Sequence, residues 1–364
     1  MITFIKQQMV LCVAAVLGLV SMVLVPPNPQ YCGYIDFRTL AILFSFMATM
    51  AGFEKIGVFS ALAQALLKRA GTLRRTVCTL VFLCFFSSML ITNDVALITF
   101  VPFAIVVLSD VEDRRGLLLC VVLQTVAANL GSMATPMGNP QNLYLYSVSS
   151  LSVGTFFATV LPYAVLSGVL LLGMCYLFPK TPIPCPDAQA VTLSKPKLCR
   201  NLFLFGICLL AVAEVISYLV AFGIVLAVAL IFDCDSLKRV DYSLLLTFVC
   251  FFIFVGNLKN VQAFQGWLAG ILAGREILVS VLASQVISNV PAALLLSGFT
   301  NQSEALLVGT NLGGLGTLIA SMASLISYQY FAKAKPQQTG KYILVFSGIN
   351  VLFLLILAVL AWIV

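Results

Sequence analysis

Residues 124–142 read QTVAANLGSMATPMGNPQN, a run of small, polar and helix-breaking residues inside a chain that is otherwise almost continuously apolar. With 61% hydrophobic and 9% charged residues over 364 positions, and a mean hydropathy of +1.09, the chain has too little polar surface to cover a soluble domain. An all-α polytopic membrane protein is expected. In hydrocarbon each unpaired backbone group costs several kcal/mol, so an irregular stretch at membrane depth must be buried in protein or line a polar cavity. Pro136 cannot donate to the Ser132 carbonyl, and Pro140 is expected to repeat the interruption one turn later. A helix end running into an interfacial loop would also explain one such stretch. It does not explain two.

Residues 309–322 read GTNLGGLGTLIASM, and against 127–140 they set Asn129 on Asn311, Leu130 on Leu312, Gly131 on Gly313 and Thr135 on Thr317. Upstream, Asp36 and Phe37 match Asp241 and Tyr242, Gly52 lies within one residue of register with Gly256, and Phe59 matches Phe264. Ile91, Thr92 and Asn93 match Ile287, Ser288 and Asn289 once a shorter connection is allowed. Two copies of one unit, each with an Asn-centred tip followed by a broken helix, point to a secondary transporter. The expected division is a first repeat with its N-terminal helix at 1–178, a linker and extra helix at 179–214, and a second repeat at 215–364.

In chain order, spans are expected at 9–25 and 37–53, then an interfacial helix at 54–69. Residues 76–108 carry one charge, Asp94, near the middle, and each arm is short of the ~20 residues needed to cross. A re-entrant hairpin with Thr92, Asn93 and Asp94 at its tip fits, and residues 110–115 make its exit loop. A broken helix at 116–147 and a span at 152–178 follow, then the proline-rich linker 179–197 and the extra helix 198–213. The second unit repeats the plan with spans at 215–232 and 244–255, an interfacial helix at 259–273, a hairpin at 276–299, a broken helix at 304–331 and a last span at 342–364. With both hairpins re-entrant, all of the 20 basic residues except Arg38, Lys259 and Arg275 fall on one side, as the positive-inside bias asks. That places the N-terminus in the cytoplasm, the C-terminus outside, and the second unit inverted relative to the first.

The four polar elements should then meet near the bilayer midplane. Helix N-termini at the hairpin tips suit an anion. The expected substrate contacts are Thr92, Asn93, Asp94, Thr135, Pro136, Gly138, Asn139, Ser288, Asn289 and Thr317. Freed carbonyls with Asn and Thr oxygens suit Na+, and the candidates are Asn93, Asp94, Asn129, Gly131, Ser132, Asn289, Asn311, Gly313 and Gly314. The glycines would equally serve tight helix packing. Asp94 can ligate a cation, carry a proton or cap its own helix. Glu54, Glu214, Glu276 and Glu304 are expected on solvated helix ends. Zero histidine leaves proton chemistry to carboxylates, and the 11 cysteines contain no CxxC, which argues against a metal site. The scattered basic residues argue against nucleic acid as a partner, and an intramembrane aspartyl hydrolase would need a second buried carboxylate.

ITNDVALITFVPFAIVVL, ANLGSMATPMGNPQN, SQVISNVPAALLLSGF and TNLGGLGTLIASMASLISY resemble the citrate-transporter-like branch of the ion transporter superfamily. That group includes divalent anion:sodium symporters, arsenite efflux pumps and a class of Na+/H+ antiporters. The resemblance runs from about Asp36 to the C-terminus and implies a homodimer whose mobile transport region moves as an elevator. Sodium-coupled dicarboxylate members carry Ser-Asn-Thr at both tips; here both Asn are present and the Thr is replaced by Asp94 and Val290. The expectation is a non-enzymatic, ion-coupled carrier in the plasma membrane for a small anion, an organic carboxylate such as citrate or a dicarboxylate, with Na+ or H+ as coupling ion. The alternative is an arsenite efflux permease or a Na+/H+ antiporter.

Overall fold

The computed structural model describes residues 8–68, 70–108, 114–149, 151–183 and 193–363. Those residues form helices and connections. The first unit contains α1 (Met9–Leu24), α2 (Tyr31–Tyr34), α3 (Phe37–Lys55), α4 (Val58–Leu67), α5 (Leu73–Ile91), α6 (Asn93–Leu108), α7 (Arg114–Ser132), α8 (Pro140–Val148) and α9 (Val153–Tyr176). After α10 (Lys195–Val212) come α11 (Tyr218–Phe232), α12 (Cys234–Lys238), α13 (Tyr242–Lys259), α14 (Gln262–Leu272), α15 (Glu276–Ile287), α16 (Asn289–Leu296), α17 (Ser303–Leu312), α18 (Met322–Ala334) and α19 (Thr339–Ile363). Among the described residues, five helices are long and apolar enough to cross a membrane on their own, and α1, α6, α7 and α11 are shorter apolar helices.

Both hairpins fold back. In the second, Thr300 Oγ1 donates to Glu276 Oε1 at 3.3 Å, joining the fourth residue past α16 to the first residue of α15. A straight span over those residues would hold them about 36 Å apart, at 1.5 Å per residue. Glu276 is therefore 7% exposed and bonded, not on a solvated face as expected. In the first hairpin, Gly131 of α7 presses on Phe85 and Ser88 of α5, while Gln124 of α7, two turns earlier, donates to the Phe100 carbonyl of α6 at 3.1 Å. The two arms leave the tip side by side along α7. α5 is longer than expected because Thr72 caps it, its side chain accepting from Arg75 N–H, so Arg74 and Arg75 lie inside its first turn.

Other boundaries move for local reasons. Pro140 does not interrupt a helix; it starts α8 at the first helical position, where its missing N–H is no loss, with Asn139 as N-cap. The break therefore covers 133–139 and holds Pro136, whereas the second break, 313–321, is made by glycines, Gly316 at φ 109° among them. Glu54 and Lys55 close α3, and Lys259 closes α13, so neither interfacial helix starts where charge suggested. Gly57, at φ 75°, turns the chain into α4. α10 starts at Lys195 and α11 at Tyr218, after Glu214 at φ 60°. Glu214 is paired with Arg38 at 2.6 Å. The expected exit loop lies mostly outside the described residues, as does 184–192 of the linker. The linker's start is pinned to α5, with Leu73 N–H donating to Thr181 and Arg74 Nε to Phe178.

The units pack crosswise. α6 lies on α18 of the second unit and α16 lies on α8 of the first; α1 packs on α13 and α11 on α3. Small residues set the tightest of the contacts. Ser280 and Ser284 of α15 face Gly309 of α17 and Gly313 just past its end, where an added Cβ would fall within 3 Å of the facing serine.

Candidate functional site

Each hairpin tip is a single residue in a backbone region that glycine alone occupies readily. Thr92 has φ 64° and ψ 149°, Ser288 φ 72° and ψ 156°. The same bonds hold both. Asn93 N–H donates to Gly138 O at 3.1 Å and Asn289 N–H to Ala320 O at 2.9 Å, so each tip is tied to the break of its own unit. The Asn93 side chain accepts from Asp94 N–H and the Asn289 side chain from Val290 N–H, both at 3.0 Å. Thr135 Oγ1 donates to the Met89 carbonyl, and Thr317 Oγ1 to the carbonyl of Gln285, the residue that matches Met89. The duplicated sequence is thus a duplicated local geometry.

Asparagines join the two units. Asn129 Oδ1 accepts from Asn93 Nδ2 at 3.1 Å and from Ser321 Oγ at 3.0 Å; its Nδ2 reaches Gly314 O and Ser324 Oγ, each at 3.4 Å. Asn311 donates to Asn142 Oδ1 at 2.6 Å and accepts from Asn139 Nδ2 at 3.0 Å. Asn93, Asn129, Asn139, Asn142, Asn289 and Asn311 are all buried. Every such amide withdrawn from water must find partners, which is why the cluster is so fully cross-bonded.

Several sequence-expected roles change on this geometry. Several carbonyls at the breaks are taken by side-chain amides. Asn142 Nδ2 donates to Ser132, Met133 and Thr135 carbonyls, and Gln285 Nε2 to those of Gly313 and Leu315, while Gln285 Oε1 accepts from Thr317 N–H at 2.9 Å. Asn139 is a cap and cross-link, also donating to Ser132 Oγ at 3.1 Å. Gly131 and Gly313 are packing residues: an added Cβ would lie 2.1 Å from Phe85 O and 2.4 Å from Ser284 Oγ. Gly138 packs on Ser132 in the same way, and Gly314 faces the Asn289 amide. Pro136 is buried within the first break, and Thr317 is exposed in the middle of the second. Gln285, Asn142, Ser321 and Ser324 were not expected. Asn142 lay within the marked stretch; a lone Gln in an apolar hairpin arm, three residues before the tip, was the available signal for Gln285.

Asp94 is half-buried beside Asn93, with no Lys or Arg paired to it among the described residues. No group of three or more Asp, Glu and Cys able to hold a metal ion occurs among those residues either. A cation at this site would therefore be met by neutral oxygens and at most this one carboxylate.

The sequence has counterparts among known proteins. A family model described as citrate transporter matches residues 1–305. The chain is 32% identical over 299 residues to inner membrane protein YbiR of Escherichia coli, covering 80% of this chain and 79% of that protein. It is 28% identical over 351 residues to an uncharacterized transporter of Methanocaldococcus jannaschii, covering 95% of each. A silicon efflux transporter of Oryza sativa subsp. japonica is 31% identical over 169 residues, which is 44% of this chain and 34% of that protein. Matched over most of its length, the chain belongs to the citrate transporter family and is a multi-pass membrane transporter of that family.

Proposed function

We propose that the chain is an ion-coupled carrier of a small anion, an organic carboxylate such as citrate or a dicarboxylate, working by alternating access with the hairpin tips and breaks moving together as an elevator. The two units act as inverted repeats, and two copies form a homodimer in the plasma membrane. The observation that carries this reading is Asn129, which bonds the first tip through Asn93 and the second unit through Gly314, Ser321 and Ser324. One buried side chain thereby makes a single polar body of four elements from both repeats. Helix N-termini at the tips favour negative charge, and few cationic side chains compete with the backbone for it.

Asp94, with no Lys or Arg paired to it among the described residues, supports a second reading, a Na+/H+ antiporter or an arsenite efflux permease, because only the first tip carries a carboxylate. One reconstituted system separates the two. Proteoliposomes loaded for uptake of radiolabelled citrate and succinate, with an imposed Na+ or pH gradient, should accumulate anion; Asn93→Ala and Asn289→Ala should each reduce uptake at least about tenfold, as expected for a lost charge-assisted contact. Asp94→Asn should remove the dependence on the gradient. Undiminished uptake in both Asn variants overturns the site. Na+-driven pH change without any anion, abolished by Asp94→Asn, favours the antiporter.

A further inference from the structure

α3 and α13 end on the same pattern, a glycine followed three residues later by a lysine: Gly52 and Lys55, Gly256 and Lys259. A short helix packs against each end, α12 on α3 and α2 on α13. In the first case the lysine is neutralised. Lys55 Nζ donates to Asp233 at 2.8 Å and Asp235 at 3.0 Å, and Arg200 of α10 holds Asp233 at 2.7 Å. Asn201 of α10 presses on Gly52, and the space left beside it is only about 10 Å³.

The second case keeps a plug, the Tyr34 ring of α2 pressing on Gly256, but lacks the acids. The register that sets Asp36 on Asp241 sets Asn28 on Asp233 and Gln30 on Asp235, so the matching sequence positions carry neutral amides. Among the described residues no carboxylate pairs with Lys259. Asp36 is committed to the Thr39 amide and hydroxyl. Beside the Tyr34 ring, where the first case leaves almost no space, is a cavity of about 320 Å³ lined by Tyr34, Tyr144, Gly256, Lys259, Asn260 and Leu294. Tyr34 OH accepts from Asn260 Nδ2 at 2.8 Å, which leaves its own proton to donate. The cavity lies between α13 and the returning arm α16, and the Lys259 stem runs over Gly298 just past that arm.

We propose that Lys259 binds a small oxyanion, carboxylate or phosphate, in this cavity, filling the role that Asp233 and Asp235 fill against Lys55, with the Tyr34 hydroxyl as second donor. The ammonium and a phenol offer two donors to one anion, and the mixed polar lining leaves room for its remaining oxygens. The site is separate from the hairpin tips and does not depend on what they carry.

Pyridoxal 5′-phosphate tests it, since this aldehyde brings its own phosphate to a lysine amine, and borohydride fixes the imine for peptide mapping. In purified protein Lys259 should be modified at least about tenfold faster than Lys333 and Lys341, which are exposed as it is, and sulfate or citrate should slow it. Asn28→Asp with Gln30→Asp, which rebuilds the internal clasp, should slow modification of Lys259 by a similar factor while leaving Lys333 and Lys341 unchanged. Protection by sulfate in detergent marks a dissolved ion, whereas protection seen only in phosphatidylglycerol nanodiscs marks a lipid phosphate; either supports an oxyanion site. Lys259 reacting at the rate of Lys333 and Lys341, with no effect of any anion, overturns it. Because the readout is at Lys259, failure of anion uptake by the Asn93 and Asn289 tips leaves this result intact, and the reverse holds.

Discussion

Thr92 and Ser288 hold a positive φ with an extended ψ, a combination costing on the order of 1–3 kcal/mol for a residue with a Cβ. Both are kept there by the same pair of restraints, a break carbonyl on the following amide and an Asn side chain on the amide after that. Glycine would occupy the position without strain, so its absence from both tips points to a use for the hydroxyl or for the strain itself. Thr92→Gly should therefore stabilise the folded protein by about 1 kcal/mol, once the added freedom of the unfolded chain is set against the relief. A thermal melt in detergent reads the gain, and transport should fall in the same variant. A melting temperature below that of the parent would show that the Thr92 side chain stabilises the tip by more than the backbone strain costs.

Helix pairs, more than single contacts, hold the hairpins to the half-helices. Along α15 and α17, Ser280 and Ser284 face Gly309 and Gly313 closely enough that a Cβ on Gly309 would come within 2.9 Å of the Ile277 backbone. Backbone cannot rotate away as a side chain can. Gly309→Ala should cost about 1–3 kcal/mol by forced separation of the helices, while Gly173→Ala, with nothing within 4 Å, should be neutral or slightly stabilising through helix propensity. Parallel melts of the two variants check the contrast, and equal melting temperatures would remove the packing account. The hairpin tips were legible in the sequence because Asn and Asp inside long apolar runs have few structural explanations at membrane depth. Element ends were less legible. Whether Pro140 breaks a helix or begins one depends on the Asn139 cap, and whether Lys259 opens an interfacial helix or closes α13 depends on a turn that carries no periodic signal. The closing of the breaks by Asn142 and Gln285 was hidden for a different reason: a freed carbonyl is visible from a proline, but its partner is chosen in three dimensions.

At the scale of the molecule, the crosswise packing of α6 on α18 and α16 on α8 means that neither unit's hairpin can shift without the other unit's half-helix. Such coupling suits repeats that face opposite ways, since one hairpin then opens to one side as the other closes. Orientation rests on the distribution of basic residues, and exposed cysteines give it a direct check. Cys32, in the short helix α2, is expected outside; Cys199 near the start of α10 and Cys234 at the start of α12 are expected in the cytoplasm, beside Arg200, Lys238 and Arg239. All three thiols are exposed in the fold, so accessibility differs only by side of the membrane. In intact cells a membrane-impermeant maleimide should label single-cysteine variants retaining Cys32 and leave those retaining Cys199 or Cys234 unlabelled until the cells are opened. Labelling of Cys199 or Cys234 from outside would reverse the assignment and move Lys259 with its cavity to the cytoplasmic face, while labelling of Cys32 and Cys234 together would break the odd number of crossings that inversion of the second unit requires.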